Sequence, residues 1–348
     1  MKRKPEQFQW YEYVVFAAVT AVVMCLCICV GSVNIPWKDT VTVIGLAIKD
    51  LFTRGDVVMP EGLAHSIILS VRLPRVLCVA LSGAALSLCG AAMQGLLKNP
   101  LADGSTLGVS SGASLGAVLA IAFGITFPAL PFAGTVIVAI LFAFLSLLII
   151  LGLAYKLDYS LSTNTIILIG VIYSMFVSSA MNVIITFVPE KLQSITFWTM
   201  GSLQGSGYES AGILLVALLI CGGIILLHAR ELNAFAVGED NARHVGVDVR
   251  RTKLIILITV SVLIGVCVSI GGTIGFVGLV TPHMVRMIVG PNHKRLLPAC
   301  AFGGAVFLLL ADLVARILLN PLELPIGVVT SLVGAVVFIF IFYHTRKG

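Results

Sequence analysis

Charge is what this chain of 348 residues has least of: 11% of its residues are Asp, Glu, Lys or Arg, while 59% are hydrophobic. A soluble domain carries about 25% charged residues and about 45–50% apolar ones. So little polar surface cannot coat a globule in water, and the composition defines a polytopic membrane protein. Catalytic signatures are missing as well. There is no HExxH, and no pair of carboxylates falls within the apolar runs, so an intramembrane hydrolase has no support. No GxxxxGK[ST] phosphate loop occurs, so any ATP-driven step belongs to a separate protein. No series of Asp, Glu or His crosses the apolar runs, which argues against a proton relay.

Two features that are present mislead if taken alone. The net charge of +6 suggests an anionic partner, but the Lys and Arg residues sit between apolar runs and not along one basic face. They read as an orientation signal, and no nucleic acid is expected. The 8 cysteines (Cys25, Cys27, Cys29, Cys78, Cys89, Cys221, Cys267 and Cys300) all lie inside apolar runs. Their spacing fits neither a disulfide framework nor a metal site, and they read as small buried hydrophobes.

Apolar runs are what the chain has in quantity. A helix needs about 20 apolar residues to cross the hydrocarbon core. Dividing the chain at its polar breaks predicts ten spans: 12–33, 66–97, 107–126, 131–155, 163–188, 209–229, 252–271, 275–290, 297–318 and 325–344. The first follows "MKRKPEQ" and is too long for a cleaved signal, whose apolar core is about 7–15 residues. The second is overlong and must tilt or project; the eighth is short and Gly-rich, and so partly re-entrant. An even number of spans with a basic N-terminus places both termini in the cytoplasm. That arrangement puts fifteen of the 22 Lys and Arg residues on the inner side. The expected fold is an all-α polytopic bundle forming a single transmembrane domain, 1–348.

Gly104, Gly108, Gly112 and Gly116 recur at a spacing of four, and Gly271 and Gly275 repeat it. Such spacing predicts smooth helix faces and close backbone packing. Charges inside the spans are few. Asp312 and Arg316, at i and i+4 near the outer end of the ninth span, are placed to pair; Arg72 and Arg75 lie at the outer end of the second, with Pro74 in or near its first turn. The stretch "AVGEDNARHVGVDVRR" (236–251) is a polar island between the sixth and seventh spans, on the cytoplasmic side. Glu239 and Arg243, at i and i+4, support a short helix there, bracketed by Gly238 and Gly246.

Several long blocks match a known family in order: "VRLPRVLCVALSGAALSLCGAAMQGLLKNPLADGSTLGVSSGASLG" (71–116), "GEDNARHVGVD" (238–248), "GGTIGFVGLVTPHMVR" (271–286), "LLLADLVAR" (308–316) and "ELPIGVVTSLVGAVVFI" (323–339). From about residue 10 to about 345 the chain resembles the FecCD-like permease subunits of type II ABC importers, which take up iron–siderophore complexes, haem or cobalamin. One departure is Gly104, where many members have Pro.

The resemblance implies ten helices per subunit and a homodimer, or a pair with a close paralogue, with the translocation path between subunits. It also implies two cytoplasmic ATP-binding subunits, which hold the ATP and Mg, and an extracytoplasmic substrate-binding protein. The chain itself would have no cofactor, no metal and no enzyme activity, and it would sit in the inner, or cytoplasmic, membrane. Residues 236–247 match the coupling helix that rests on the ATPase, with Gly238, Glu239, Asp240, Ala242, Arg243 and Gly246 as its contact and turn positions. Arg72 and Arg316, with Arg75 as a third, match the outer-face arginines that meet acidic residues of the binding protein. Ser162, Thr163 and Asn164 match the cytoplasmic gate loop. An iron chelate is the expected cargo as the family's commonest, with haem and cobalamin as alternatives. The expectation from another class is a secondary transporter working without ATP, for which the Gly-rich segment 271–278 is the one broken-helix candidate.

Overall fold

The computed structural model describes residues 7–31, 63–104, 107–125, 133–159 and 162–347, with scattered positions between 35 and 49. The basic N-terminal residues Lys2, Arg3 and Lys4, and Arg54, lie outside the described residues. The chain is helical, with no strand among the described residues.

Helix α1 is Trp10–Cys29. Helix α2 spans 63–97 as Leu63–Ser66, a π turn Ile67–Arg72 and Leu73–Leu97. There follow α3 (Val109–Ala122), α4 (Ala133–Leu157), α5 (Thr163–Phe187) and the short α6 (Leu192–Thr199). Helix α7 spans 208–227 with a π turn at Leu218–Gly222, and α8 is Ala229–Val237. The remainder are α9 (Glu239–His244), α10 (Val249–Gly271), α11 (Val277–Val289), α12 (His293–Ile317) and α13 (Ile326–Lys347).

Helices α1, α2, α4, α5, α7, α10 and α12 are long and apolar enough to cross a membrane, while α3, α11 and the apolar part of α13 are shorter. The 13 residues of α11 rise only about 20 Å at 1.5 Å each. The non-helical segment 272–276 precedes it, where Gly272 (φ +67°) ends α10 and Phe276 takes φ +66°. Pro74 lies in the first turn of the α-helical segment Leu73–Leu97, as expected, although the rod of α2 runs on before it through the π turn. Proline lacks the N–H that a regular turn needs, and the π turn just before it absorbs the defect. Helices α6 and α8 belong to none of the expected spans.

Helix α2 is the centre of the bundle, with nearly every residue from Pro74 to Leu97 buried. Helix α1 is the opposite case: only Cys27 and Ile28 are fully buried, Phe16, Val23 and Met24 pack partly on the core, and most of its remaining apolar surface faces outward. Two close backbone approaches lie on α2. A Cβ on Gly83 would sit 2.3 Å from the carbonyl of Gly304, and one on Gly90 1.8 Å from that of Gly278. The expected glycine ladder is shorter than its spacing suggests. Gly112 and Gly116 face the backbone of α4 at Phe142 and Val138, whereas Gly104 precedes the helix and Gly108 caps it at φ +72°. Gly271 packs on Leu203 at the end of α10, and Gly275 lies in the linker with room around it.

Candidate functional site: two ends and a cavity

The bundle ends differ in how they hold charge. At one end Arg75 is gripped by two carboxylates. Its Nε and Nη2 donate to Asp312 Oδ1 at 3.0 and 2.9 Å, and its Nη1 donates to Glu323 Oε2 at 2.7 Å. Arg316 Nε lies 2.9 Å from Asp312 Oδ2, which realises the i, i+4 pair within α12. Arg316 and Arg72 also close the end of α1. Arg316 donates to the carbonyls of Cys27 and Val30, and Arg72 to those of Ile28 and Cys29. The last carbonyls of a helix have no partner within it, and two guanidinium groups supply one. In consequence Arg72, Arg75 and Arg316 are only 5%, 7% and 3% exposed. They do not project from a rim, as their position at the helix ends suggested; within a single chain they are sealed between α1, α2 and α12.

The opposite end carries the island. Gly238 breaks the chain between α8 and α9 at φ +142°, and Gly246 turns it out of α9 at φ +86°. Both are conformations that side-chain-bearing residues rarely adopt. Ala242 is fully buried and pins the six-residue helix, while Asp240, Asn241, Arg243 and His244 face outward. Val237 and Val245, on either side, are 71% and 73% exposed. The expected Glu239–Arg243 pair does not form. Arg243 pairs with Asp240 at 3.3 Å, and Glu239 turns inward to the ammonium of Lys253, 2.8 Å away and wholly buried in α10. The turn at Gly246 brings α10 back against α9, so residues 14 apart meet.

Ser162, Thr163 and Asn164 start α5 at this same end. The Ser162 hydroxyl accepts from Thr165 N, and Asp158 Oδ2 accepts from Ser162 N at 3.1 Å and from the Thr165 hydroxyl at 3.3 Å. Asn164 is exposed. Tyr159, beside Asp158, has its phenol held below the ordinary value by hydrogen bonds to Tyr155 and then Arg250.

Between the ends, a cavity of about 760 Å³ opens among α3, α5, α10 and the 272–279 segment. It is lined by Ser110, Ser111, Ser114, Ser174, Ser178, Thr199 and Thr273 between apolar side chains, with Asp103 its one charged group. Among the described residues no group of three or more His, Cys, Asp or Glu could hold a metal ion. The Gly-x-Ser-x-Gly pattern occurs at 108–112 and 112–116, but on a helix; Ser114 donates to the carbonyl of Ser110, as a packing serine does. The arrangement suits passage of a solute.

A many-helix membrane bundle with a hydroxyl-lined cavity and a folded polar island at one end is the architecture of a permease. Its sequence places it further: the match to the FecCD transport family covers residues 19–344, and the chain belongs to that family. It is 39% identical over 344 residues, 98% of this chain and 95% of the other, to the ABC transporter permease YvrB of Bacillus subtilis. It is 37% identical over 278 residues, 80% of this chain and 73% of the other, to the cobalamin import permease BtuC of Halobacterium salinarum. A hemin permease of Yersinia pestis matches at 39% over 80% of this chain and 84% of the other, and a molybdate permease of Haemophilus influenzae at 36% over 86% and 87%. A solved metal-chelate type ABC transporter in an inward-facing conformation superposes with a TM-score of 0.82 at 32% identity, covering 95% of this chain and 98% of that one. The chain is a multi-pass membrane permease subunit of an ABC importer, and ATP hydrolysis belongs to a separate subunit of such a system.

Proposed function

We propose that this permease carries a ferric siderophore inward. The observation behind this choice is the cavity. Its volume of about 760 Å³ falls in the range of sites for drug-sized molecules, about 300–1,000 Å³. A tetrahedral oxyanion such as molybdate would leave most of it empty. Hydroxyls and apolar groups without a metal cluster suit a bulky chelate that must pass through without being gripped.

The island 236–247 is the surface on which an ATP-binding subunit rests, with ATP and Mg held by that subunit. Its support is the mixture of exposed charge at Asp240 and Arg243 with exposed Val237 and Val245, a combination that fits a partner's groove better than water or lipid. Two such subunits serve two permeases. Helix α5 is apolar and uncovered at Val171 and Met175, which line the cavity, and at Leu168, Ile172 and Phe176 beside them, as a second copy closing the path between subunits requires. Both termini and the gate loop 162–164 then lie on the cytoplasmic side. The opposite end meets an extracytoplasmic binding protein. Arg72, Arg75 and Arg316 gather at that end, and arginine is the residue type that pairs best with the carboxylates of an acidic partner.

Reconstituting the permease with its ATP-binding subunit and binding protein, and measuring uptake of a ferric siderophore, haem, cobalamin and molybdate, tests the cargo. ATP-dependent uptake of the siderophore is the expected result. Preference for haem, cobalamin or molybdate overturns the cargo. Uptake driven by an ion gradient without the ATP-binding subunit overturns the transporter class.

A further inference from the structure

Two contacts described separately above meet on one turn of helix. Lys253, three residues after Arg250, reaches back to Glu239 at the start of α9. Arg250 reaches sideways to the chain leaving α4. Its guanidinium carbon lies 4.1 Å from the ring centre of Tyr159 and 5.1 Å from that of Tyr155, and its Nη1 donates to the Tyr159 hydroxyl at 2.7 Å. The two tyrosine rings pack against each other with centroids 4.9 Å apart. Next to Tyr159 is Asp158, whose carboxylate holds Ser162 and Thr165 at the start of α5.

We infer that the first turn of α10 links the island to the gate loop, with Arg250 and Lys253 as the positioning residues that carry movement from one to the other. This rests on the reading of 236–247 as the ATPase contact and of 162–164 as the gate.

Each joint has a physical reason to hold. Lys253 has no exposure to water, and a buried ammonium stays charged only beside a carboxylate. Moving Glu239 without Lys253 would strand that charge, so α9 and α10 move together. Asp248 caps α10 by accepting from Arg251 N at 3.0 Å, which keeps the turn between the two joints regular. At the other joint the planar guanidinium both stacks on an aromatic face and donates in its own plane, which a lysine cannot reproduce. The side chains of Arg250 and Lys253 share one helical turn, so a tilt of α10 moves both.

The competing role for Tyr155, Tyr159 and Arg250 is an anchor at the membrane interface, where aromatic and basic residues gather. An anchor has no reason to make the gate respond to nucleotide, and the test uses that difference. In the complete complex with its ATP-binding subunit, Cys25 and Cys29 are replaced by Ser and Asn164 by Cys. The rate of labelling of residue 164 by a membrane-impermeant maleimide is then measured with and without ATP and Mg.

In this parent the rate should change about five-fold or more, the lower end of ordinary coupling between sites. Arg250→Ala and Tyr159→Leu should reduce the change to less than about two-fold while ATP is still hydrolysed, and Arg250→Lys should restore it only in part. Tyr159→Phe alters one oxygen on an exposed side chain and keeps the ring, so it serves even where Arg250→Ala fails to assemble; it should weaken the response. A full nucleotide response in Arg250→Ala or Tyr159→Leu, or in Tyr159→Phe where neither of them assembles, overturns the linkage alone. No nucleotide response in the parent overturns the gate reading, and an unchanged response in Glu239→Lys overturns the coupling reading; either takes the linkage with it.

Discussion

The arginine end and the island end hold similar residue types in opposite ways. At the arginine end, Arg72, Arg75, Asp312 and Arg316 are buried and spend their hydrogen bonds on one another and on the end of α1. At the island end, Asp240 and Arg243 stand in the open; of the buried cations there, Lys253 is tied to the island itself and Arg295 to Glu12 of α1. Buried, paired charges fix the relation of α1, α2 and α12. Exposed charges on a short helix between two glycine turns leave a surface for a partner, connected inward through a single ion pair. One end is built to stay as it is and the other to be pushed.

Substitutions can break this contrast. The largest effect is expected at Asp312. Its loss takes the paired carboxylate from buried Arg316 and leaves Arg75 with Glu323 alone, and breaking a buried pair from one side costs about 3–5 kcal/mol. Asp312→Ala should therefore lower the unfolding temperature of the purified permease sharply, as read by thermal denaturation in detergent. A variant as stable as the parent would mean that the cluster does not hold the bundle together.

A smaller effect separates field from contact. Glu323 is the more accessible acid of the cluster, with its side chain 18% exposed. Glu323→Gln raises the charge of that end by one unit and leaves Arg75 its bond to Asp312. Association with the binding protein should speed up by about two- to ten-fold at low salt and by less at physiological salt, because steering is screened over about 8–10 Å. An unchanged rate at both salt levels would remove this end as the docking face.

The smallest effect belongs to the exposed pair. Asp240→Asn should change folding stability by less than about 0.5 kcal/mol in the same denaturation measurement, as expected for an open ion pair. A loss comparable to that of Asp312→Ala would erase the difference between the ends.

Much of this was legible in the sequence because the bilayer imposes length and composition on any crossing helix. The expected segment 163–188 lies beside Thr163–Phe187, and 275–290 beside Val277–Val289 with its broken approach. The turn glycines of the island could also be read, since Gly238 and Gly246 flank a helix-compatible polar run. What could not be read depends on three-dimensional packing. Glu239 has Arg243 nearby in sequence, yet it bonds Lys253, because the turn at Gly246 sets the register of α10. The terminal position of Arg72 and Arg316 suggested exposure, but the partner that buries them, the end of α1, is over 40 residues away from the first and over 280 from the second. A spacing of four placed Gly104 and Gly108 on a helix face that begins only after them. Helix α6 is too short, at 8 residues, to give a hydropathy signal.

The most direct test of the island as a lever worked from outside the chain is Glu239→Lys in proteoliposomes containing the ATP-binding subunit and the binding protein. A lysine there faces the buried Lys253 and breaks the joint between α9 and α10. The expected result is ATP hydrolysis within about two-fold of the parent and cargo uptake reduced by about ten-fold or more, within the ordinary range of coupling between sites. Uptake at the parental rate, with hydrolysis unchanged, would contradict the coupling of the island to transport.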